Sequence, residues 1–117
     1  MIGVAGLPLF ILLLFGHCLA DYPLQTDKLA LGKCPGSSIA GVHWTYWLAG
    51  HAGTHALVVA LLTNNIWLGS AEFILHSIID ICKCKGCFNL AVDQLLHAAC
   101  KIAWVIILAG VTSNVWQ

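Results

Sequence analysis

The residues able to do chemistry in this chain recur at one interval. Glu72, His76 and Asp80 stand four residues apart in the stretch EFILHSIID, and His17–Asp21, His51–His55 and Asp93–His97 repeat the spacing. Of the six His and five Asp and Glu, only His43 and Asp27 fall outside these ladders, and Lys101 extends the last one by a further step. Random placement would give about one pair at this spacing, which is the interval that stacks side chains on one helix face; the chain has five. Neutral imidazole and carboxylate are ligands for divalent metals, and two donors one helix turn apart can share an ion. Mixed nitrogen and oxygen donors suit Zn, Mn or Fe and do not select among them. An ion held this way activates water or polarises a phosphoryl or carbonyl oxygen. The expected metal donors are therefore His17, Asp21, His51, His55, His76, Asp80, Asp93 and His97, with His51 in a second layer behind the others or on the deeper wall. Glu72 and Lys101 are the catalytic candidates, Glu72 as a general base and Lys101 as the partner of an anionic group. The competing use of the same groups is interhelical hydrogen bonding without any metal.

What must position them is an apolar scaffold. The chain has 117 residues, 60% of them hydrophobic, a mean hydropathy of +0.89 and only 9% charged residues, against about 25% charged in a typical soluble domain. With five Lys, no Arg and zero net charge, it lacks the basic footprint that nucleic-acid binding needs. Six Cys in a short chain suggest a secreted disulfide scaffold, but such scaffolds are not this apolar. The composition points to a single integral membrane domain over residues 1–117 with the lipid bilayer as its first partner, since a spanning helix needs about 20 mostly apolar residues. Hydrophobic runs predict helices at about 2–21, 44–62, 66–82 and 88–111, in an all-α, up-down-up-down transmembrane four-helix bundle. Residues 21–38 read as a loop, and Pro23 closes the first helix. The turn TNN and the tight connection CKCKGC separate the later helices, and TSNVWQ forms a tail. A signal peptide cleaved after Ala20 is the competing reading of the first helix, although the charged segment that normally precedes one is missing.

Lys28 and Lys33 lie in the first connection, and Lys83 and Lys85 in the third. By the positive-inside rule those connections are cytoplasmic, at an inner or plasma membrane, and both termini lie on the other side. Trp44, Tyr46 and Trp47 then form an aromatic belt on the cytoplasmic side, Trp67 and Trp116 one on the far side, and Trp104 packs inside the bundle. Cytoplasmic exposure keeps Cys34, Cys82, Cys84 and Cys87 reduced, although Cys82, Cys84 and Cys87 with Cys34 also resemble a thiolate metal site. Cys18 and Cys100 read as packing residues, His43 as a wet interfacial residue and Asp27 as a solvated loop charge. Gly50 and Gly53 read as points of close helix approach. This topology brings all four ladders to the cytoplasmic half. An ionisable group inside a bilayer costs at least about 2.5–3.5 kcal/mol on insertion scales, so ten of them at one level predict one buried polar site.

Three segments, HCLADYPLQTDKLA (17–30), EFILHSIIDICK (72–83) and DQLLHAACKIAW (93–104), resemble a family of small four-helix integral membrane proteins of bacteria and tailed phages, of unknown function. The resemblance runs through His17, Asp21, Tyr22, Leu24 and Gln25; His55 or His51; His76 and Asp80; then Asp93, Gln94 and His97. It implies a membrane bundle and no particular activity. The His76-to-Asp80 element is also similar to one in membrane-bound metal-dependent hydrolases, over one short motif. CKCKGC and the aromatic insert before His51 lie outside the pattern.

The leading expectation is a membrane-embedded metal-binding protein acting as a metal-dependent hydrolase on a lipid or phosphorylated head group. The alternative is a small ion or proton transporter or channel that uses the ladder as a relay. A further alternative is a holin-like phage membrane protein, and a homo-oligomer is compatible with each.

Overall fold

The structure, a computed structural model, describes residues 4–115. Residues 2 and 3 of the expected first helix, and Trp116 of the expected far-side belt, lie outside the described residues. The fold is all-α: α1 (Gly6–Asp21), α2 (Asp27–Gly32), α3 (Trp44–Thr63), α4 (Ile66–Cys84) and α5 (Leu90–Val115), with a short 3₁₀ turn at Ile39–Gly41. The four long helices form a closed ring in which α1 and α4 each pack against α3 and α5. The expected tail is helical as far as Val115, so α5 is longer than the hydrophobic run alone indicates.

The tightest junction is between α3 and α4. Asn64 takes a left-handed conformation that ends α3, and the Asn65 side chain accepts hydrogen bonds from the Trp67 and Leu68 amides to start α4. Two residues therefore reverse the chain. The two backbones then approach at Gly69, where a Cβ would lie 2.8 Å from the Ala56 carbonyl oxygen. Gly16 makes a similar approach to Val58. The expected close approaches at Gly50 and Gly53 are corrected: a Cβ at either would meet nothing within 4 Å.

The segment read as a loop contains α2. Thr26 caps it, its hydroxyl accepting from the Leu29 amide at 3.2 Å, and Asp27 occupies the first turn, where the helix dipole favours a carboxylate. The helix lies on α3 through Gly32, which is buried against the Trp47 indole, while Trp47 Nε1 donates to the Ile39 carbonyl at 3.2 Å. Trp47 thus holds the α2 segment in place. Tyr46 and Trp67 are exposed as a belt requires. His43 is exposed and caps α3, its side chain accepting from the Thr45 amide.

Cys34, just after α2, is disulfide-bonded to Cys84 at the end of α4. This corrects two expectations: the four cysteines of this end are not all reduced thiols, and no four-thiolate metal site forms. Cys82 and Cys87 are left free. Cys18 is exposed, not packed, whereas Cys100 does pack against the core.

The main apolar cluster occupies the end of the bundle distant from α2, with Ala20, Leu48 and Ala52 buried toward the other end. Leu9, Leu13, Val59, Leu68 and Trp104 form it, with Leu62 and Leu108 against its edge. The outer surface is as apolar as the core: Leu7, Phe15, Leu61, Ile66, Leu95 and Ile106 are all largely exposed. Among the described residues one helix, α5 over Leu90–Asn114, is both long and apolar enough to cross a membrane; α1 is apolar but shorter.

Candidate metal centre

All ten ladder residues converge inside the bundle on the side of α2. Nine are buried, and the Asp21 side chain keeps only 10% of its surface. Each helix delivers its ladder on the face turned to the axis, as the four-residue interval dictates. The groups fall into three levels.

The deepest level is closed. Glu72 Oε1 accepts from Lys101 Nζ, and Glu72 Oε2 accepts from Trp104 Nε1 at 2.6 Å. Glu72 Oε1 also faces His76 Nδ1 at 3.3 Å. Trp104 packs inside the bundle as its position in the sequence indicates, and in addition supplies a hydrogen bond. The expected role of Glu72 as a free general base does not fit this pairing, because both oxygens already serve cationic or N–H partners.

The middle level is the histidine layer. His55 and His76 stack with ring centroids 3.8 Å apart, His76 and His97 follow at 4.2 Å, and His17 stands 4.8 Å from both His55 and His97. His55 Nε2 donates to Asp21 Oδ1 at 2.9 Å, and His51 Nε2 lies 3.3 Å from the same oxygen. His51 also lies 3.5 Å from Asp80 Oδ2, between the two carboxylates nearest α2. Its expected places were a second layer behind the donors or the deeper wall; here it stands beside the same carboxylates as the other donors.

The outer level holds residues that the ladder count missed. Lys33 Nζ donates to Asp80 Oδ2 and to Gln25 Oε1, both at 2.8 Å. Lys83 Nζ lies 3.4 Å from Asp93 Oδ2. Gln94 Nε2 donates to Asp21 Oδ2 and Asp93 Oδ2, both at 3.0 Å, and Gln94 Oε1 pairs with His17 Nε2 at 3.2 Å. Gln94 thus ties the α1 ladder to the α5 ladder by hydrogen bonds, beside the contact of the His17 and His97 rings. Its signal in the sequence was its place beside Asp93 in the DQLLH motif. A cleft of about 170 Å³ lined by Gln25, Lys33, Asp80 and Lys83 opens onto this level.

Seven buried polar atoms in the cluster make no hydrogen bond of ordinary geometry within the protein: His17 Nδ1, His51 Nε2, His55 Nδ1, His76 Nε2, Asp93 Oδ1 and both ring nitrogens of His97. Of these, His51 Nε2, His76 Nε2, His97 Nε2 and Asp93 Oδ1 face an oppositely polar atom at 3.3–3.5 Å. Buried polar groups are otherwise almost always satisfied. Three donor sets are compact enough to hold a metal ion, with one atom from each residue within 4.8 Å of the others. They are Asp21, His51, His55 and His76; His17, His76 and His97; and Asp80, Asp93 and His97. Together they comprise all eight expected metal donors.

The chain belongs to DUF3307. This family, described as proteins of unknown function, matches residues 9–117 and so takes in every ladder residue. No curated protein and no solved structure matches the chain. Membership of DUF3307 agrees with the resemblance to a family without an assigned activity, and the chemistry has to be argued from the cluster itself.

Proposed function

We propose that this DUF3307 protein is a membrane-embedded metal-binding protein, a metal-dependent hydrolase acting on a lipid or phosphorylated head group. The observation that carries the metal is the set of seven buried atoms without an ordinary hydrogen bond in a layer of five His and three Asp. A cation shared among these donors would satisfy several of them at once. What supports the bilayer is the inverted distribution of polarity, with charge along the axis and large apolar side chains outside. In this reading all four long helices span, tilted or locally thinning the lipid, and residues 1–117 form one integral domain. A bound divalent ion would polarise a phosphoryl oxygen and lower the pKa of a water molecule. Lys33 and Lys83 would offset the charge of an anionic head group entering by the cleft. Elemental analysis of detergent-purified protein should find a stoichiometric transition metal that is missing from an Asp80→Ala, His97→Ala double variant. Metal-free wild-type protein ends the proposal.

The four lysines Lys28, Lys33, Lys83 and Lys85 assign the polar end to the cytoplasm. The Cys34–Cys84 bond favours the reverse, since such bonds persist mainly in oxidising compartments. Exposed, free Cys87 decides between them in a chain carrying Cys18→Ala. A membrane-impermeant maleimide should leave Cys87 unlabelled in intact cells and label it after permeabilisation; labelling of intact cells turns the molecule over.

A second reading, a proton relay, draws on the continuous contact from Asp21 through His55 and His76 to Glu72. It expects pH-driven flux in liposomes without added metal, lost in His76→Ala.

A further inference from the structure

Two of the three compact donor sets share no residue. Asp21, His51, His55 and His76 form one; Asp80, Asp93 and His97 form the other. Donors bonded to one tetrahedral ion at about 2.0–2.1 Å stand about 3.3 Å from one another. In the first set Asp21 Oδ1 lies 2.9 Å from His55 Nε2 and 3.3 Å from His51 Nε2. In the second, His97 Nε2 lies 3.5 Å from both Asp93 Oδ1 and Asp80 Oδ1. These separations are close to that spacing, and every donor of each set lies within 4.8 Å of the others.

The Asp80 carboxylate joins them. Its Oδ2 is 3.5 Å from His51 Nε2 and 3.4 Å from His76 Nε2, donors of the first set. Its Oδ1 faces His97 in the second. One oxygen thus faces each set, as in a carboxylate that bridges two ions about 3.5–4 Å apart, while Oδ2 also accepts from Lys33 Nζ at 2.8 Å. The atoms without an ordinary hydrogen bond divide the same way: His51 Nε2 and His76 Nε2 on one side, His97 Nε2 and Asp93 Oδ1 on the other. The bond from Glu72 to His76 Nδ1 leaves Nε2 as the bare nitrogen turned to Asp80, an arrangement that outer carboxylates impose on metal-binding histidines.

We propose that the cluster is a two-metal centre bridged by Asp80, with Asp21, His51, His55 and His76 on one divalent ion and Asp93 and His97 on the other. This rests on the metal-binding reading above. It narrows the chemistry to reactions in which two cations hold the attacking and leaving oxygens of a phosphoryl group. Three carboxylates, Asp21, Asp80 and Asp93, would offset part of the charge of two dications, and an incoming anion the rest, because Lys33 already pairs with Asp80, Lys83 faces Asp93 and Lys101 neutralises Glu72.

The test is equilibrium dialysis of chelator-stripped, detergent-purified full chain against Zn²⁺ and, separately, Mn²⁺. Two equivalents of at least one metal should bind to the wild type. Asp93→Asn should retain one, as should a His51→Asn, His55→Asn double variant, with unchanged helical circular dichroism. A wild type that saturates at one equivalent with both metals overturns the two-metal centre and keeps the metal-binding reading. Binding of neither metal removes both, and because the count is made on the wild type, no misfolded variant can obscure it.

Discussion

Two buried polar regions lie one helix turn apart in this bundle, and they are finished to different degrees. At the Glu72 level each carboxylate oxygen has an N–H partner, from Lys101 on one side and Trp104 on the other. At the histidine level seven polar atoms have no hydrogen bond of ordinary geometry. Both regions carry a cost for removing polar groups from water. A region that is closed on itself can repay that cost only as structure. A region left open is incomplete until something else enters it, and so the open layer, not the charged triad, is where function is to be sought.

The comparison can be broken most severely at the triad. Removing Glu72 with Glu72→Ala leaves Lys101 as an uncompensated buried cation, and should cost about 3–5 kcal/mol of unfolding free energy. Denaturant titration in detergent checks this, and a loss below about 1 kcal/mol would mean that the triad is not structural. Trp104→Phe strands Glu72 Oε2 alone, with an expected loss of about 1–3 kcal/mol and no change in the amount of metal bound. Should Trp104→Phe also release metal, the two levels are one site. The smallest change in stability is expected for the paired variant Glu72→Met, Lys101→Met, because replacing a whole buried ion pair by apolar residues is often neutral or stabilising. That variant should nevertheless bind Zn²⁺ about 10–100-fold more weakly, since His76 loses the carboxylate that orients it. Unchanged affinity in a competition titration would confine Glu72 to a purely structural role.

The long helices and their inward faces were legible in the sequence because two signals coincide in them. Hydrophobic runs set their lengths, and the four-residue interval of His17–Asp21, His51–His55, Glu72–His76–Asp80 and Asp93–His97 sets one polar face on each. Convergence followed from the alternating direction of the four helices, with short connections at 64–65 and 85–89 and a long one at 22–43. The α2 segment was not legible by hydrophobic run, because six residues are too few to show one; its signal was the Thr26 cap. Lys33 and Lys83 were read only as marks of topology, yet both pair with aspartates of the cluster. A charge at the end of a span obeys the bilayer and its neighbours at once, and a single sequence cannot separate the two. The Cys34–Cys84 pairing was hidden for a related reason: 50 residues separate the two cysteines, and only the folding of α2 back over the bundle brings them together. The glycines show the limit of residue type as a guide, since Gly16 and Gly69, not Gly50 and Gly53, are where chains touch.

The two-residue junction at Asn64 and Asn65 has a consequence for how such a molecule can be made. It welds α3 and α4 into a hairpin that already holds His51, His55, Glu72, His76 and Asp80. If the helices span a membrane as proposed, a single helix bearing Glu72 and Asp80 would be a poor candidate to leave the insertion machinery for lipid, whereas the hairpin would shelter these groups between its own two arms. The unit that partitions is then the pair, with α1 already waiting to receive it through Asp21 and His55. The last helix to be synthesised brings Lys101, the cation that Glu72 lacks until then. Docking of α5 would thus act as the closing step of assembly, and chains truncated before Lys101 should be recognised in the cell as unfinished and degraded.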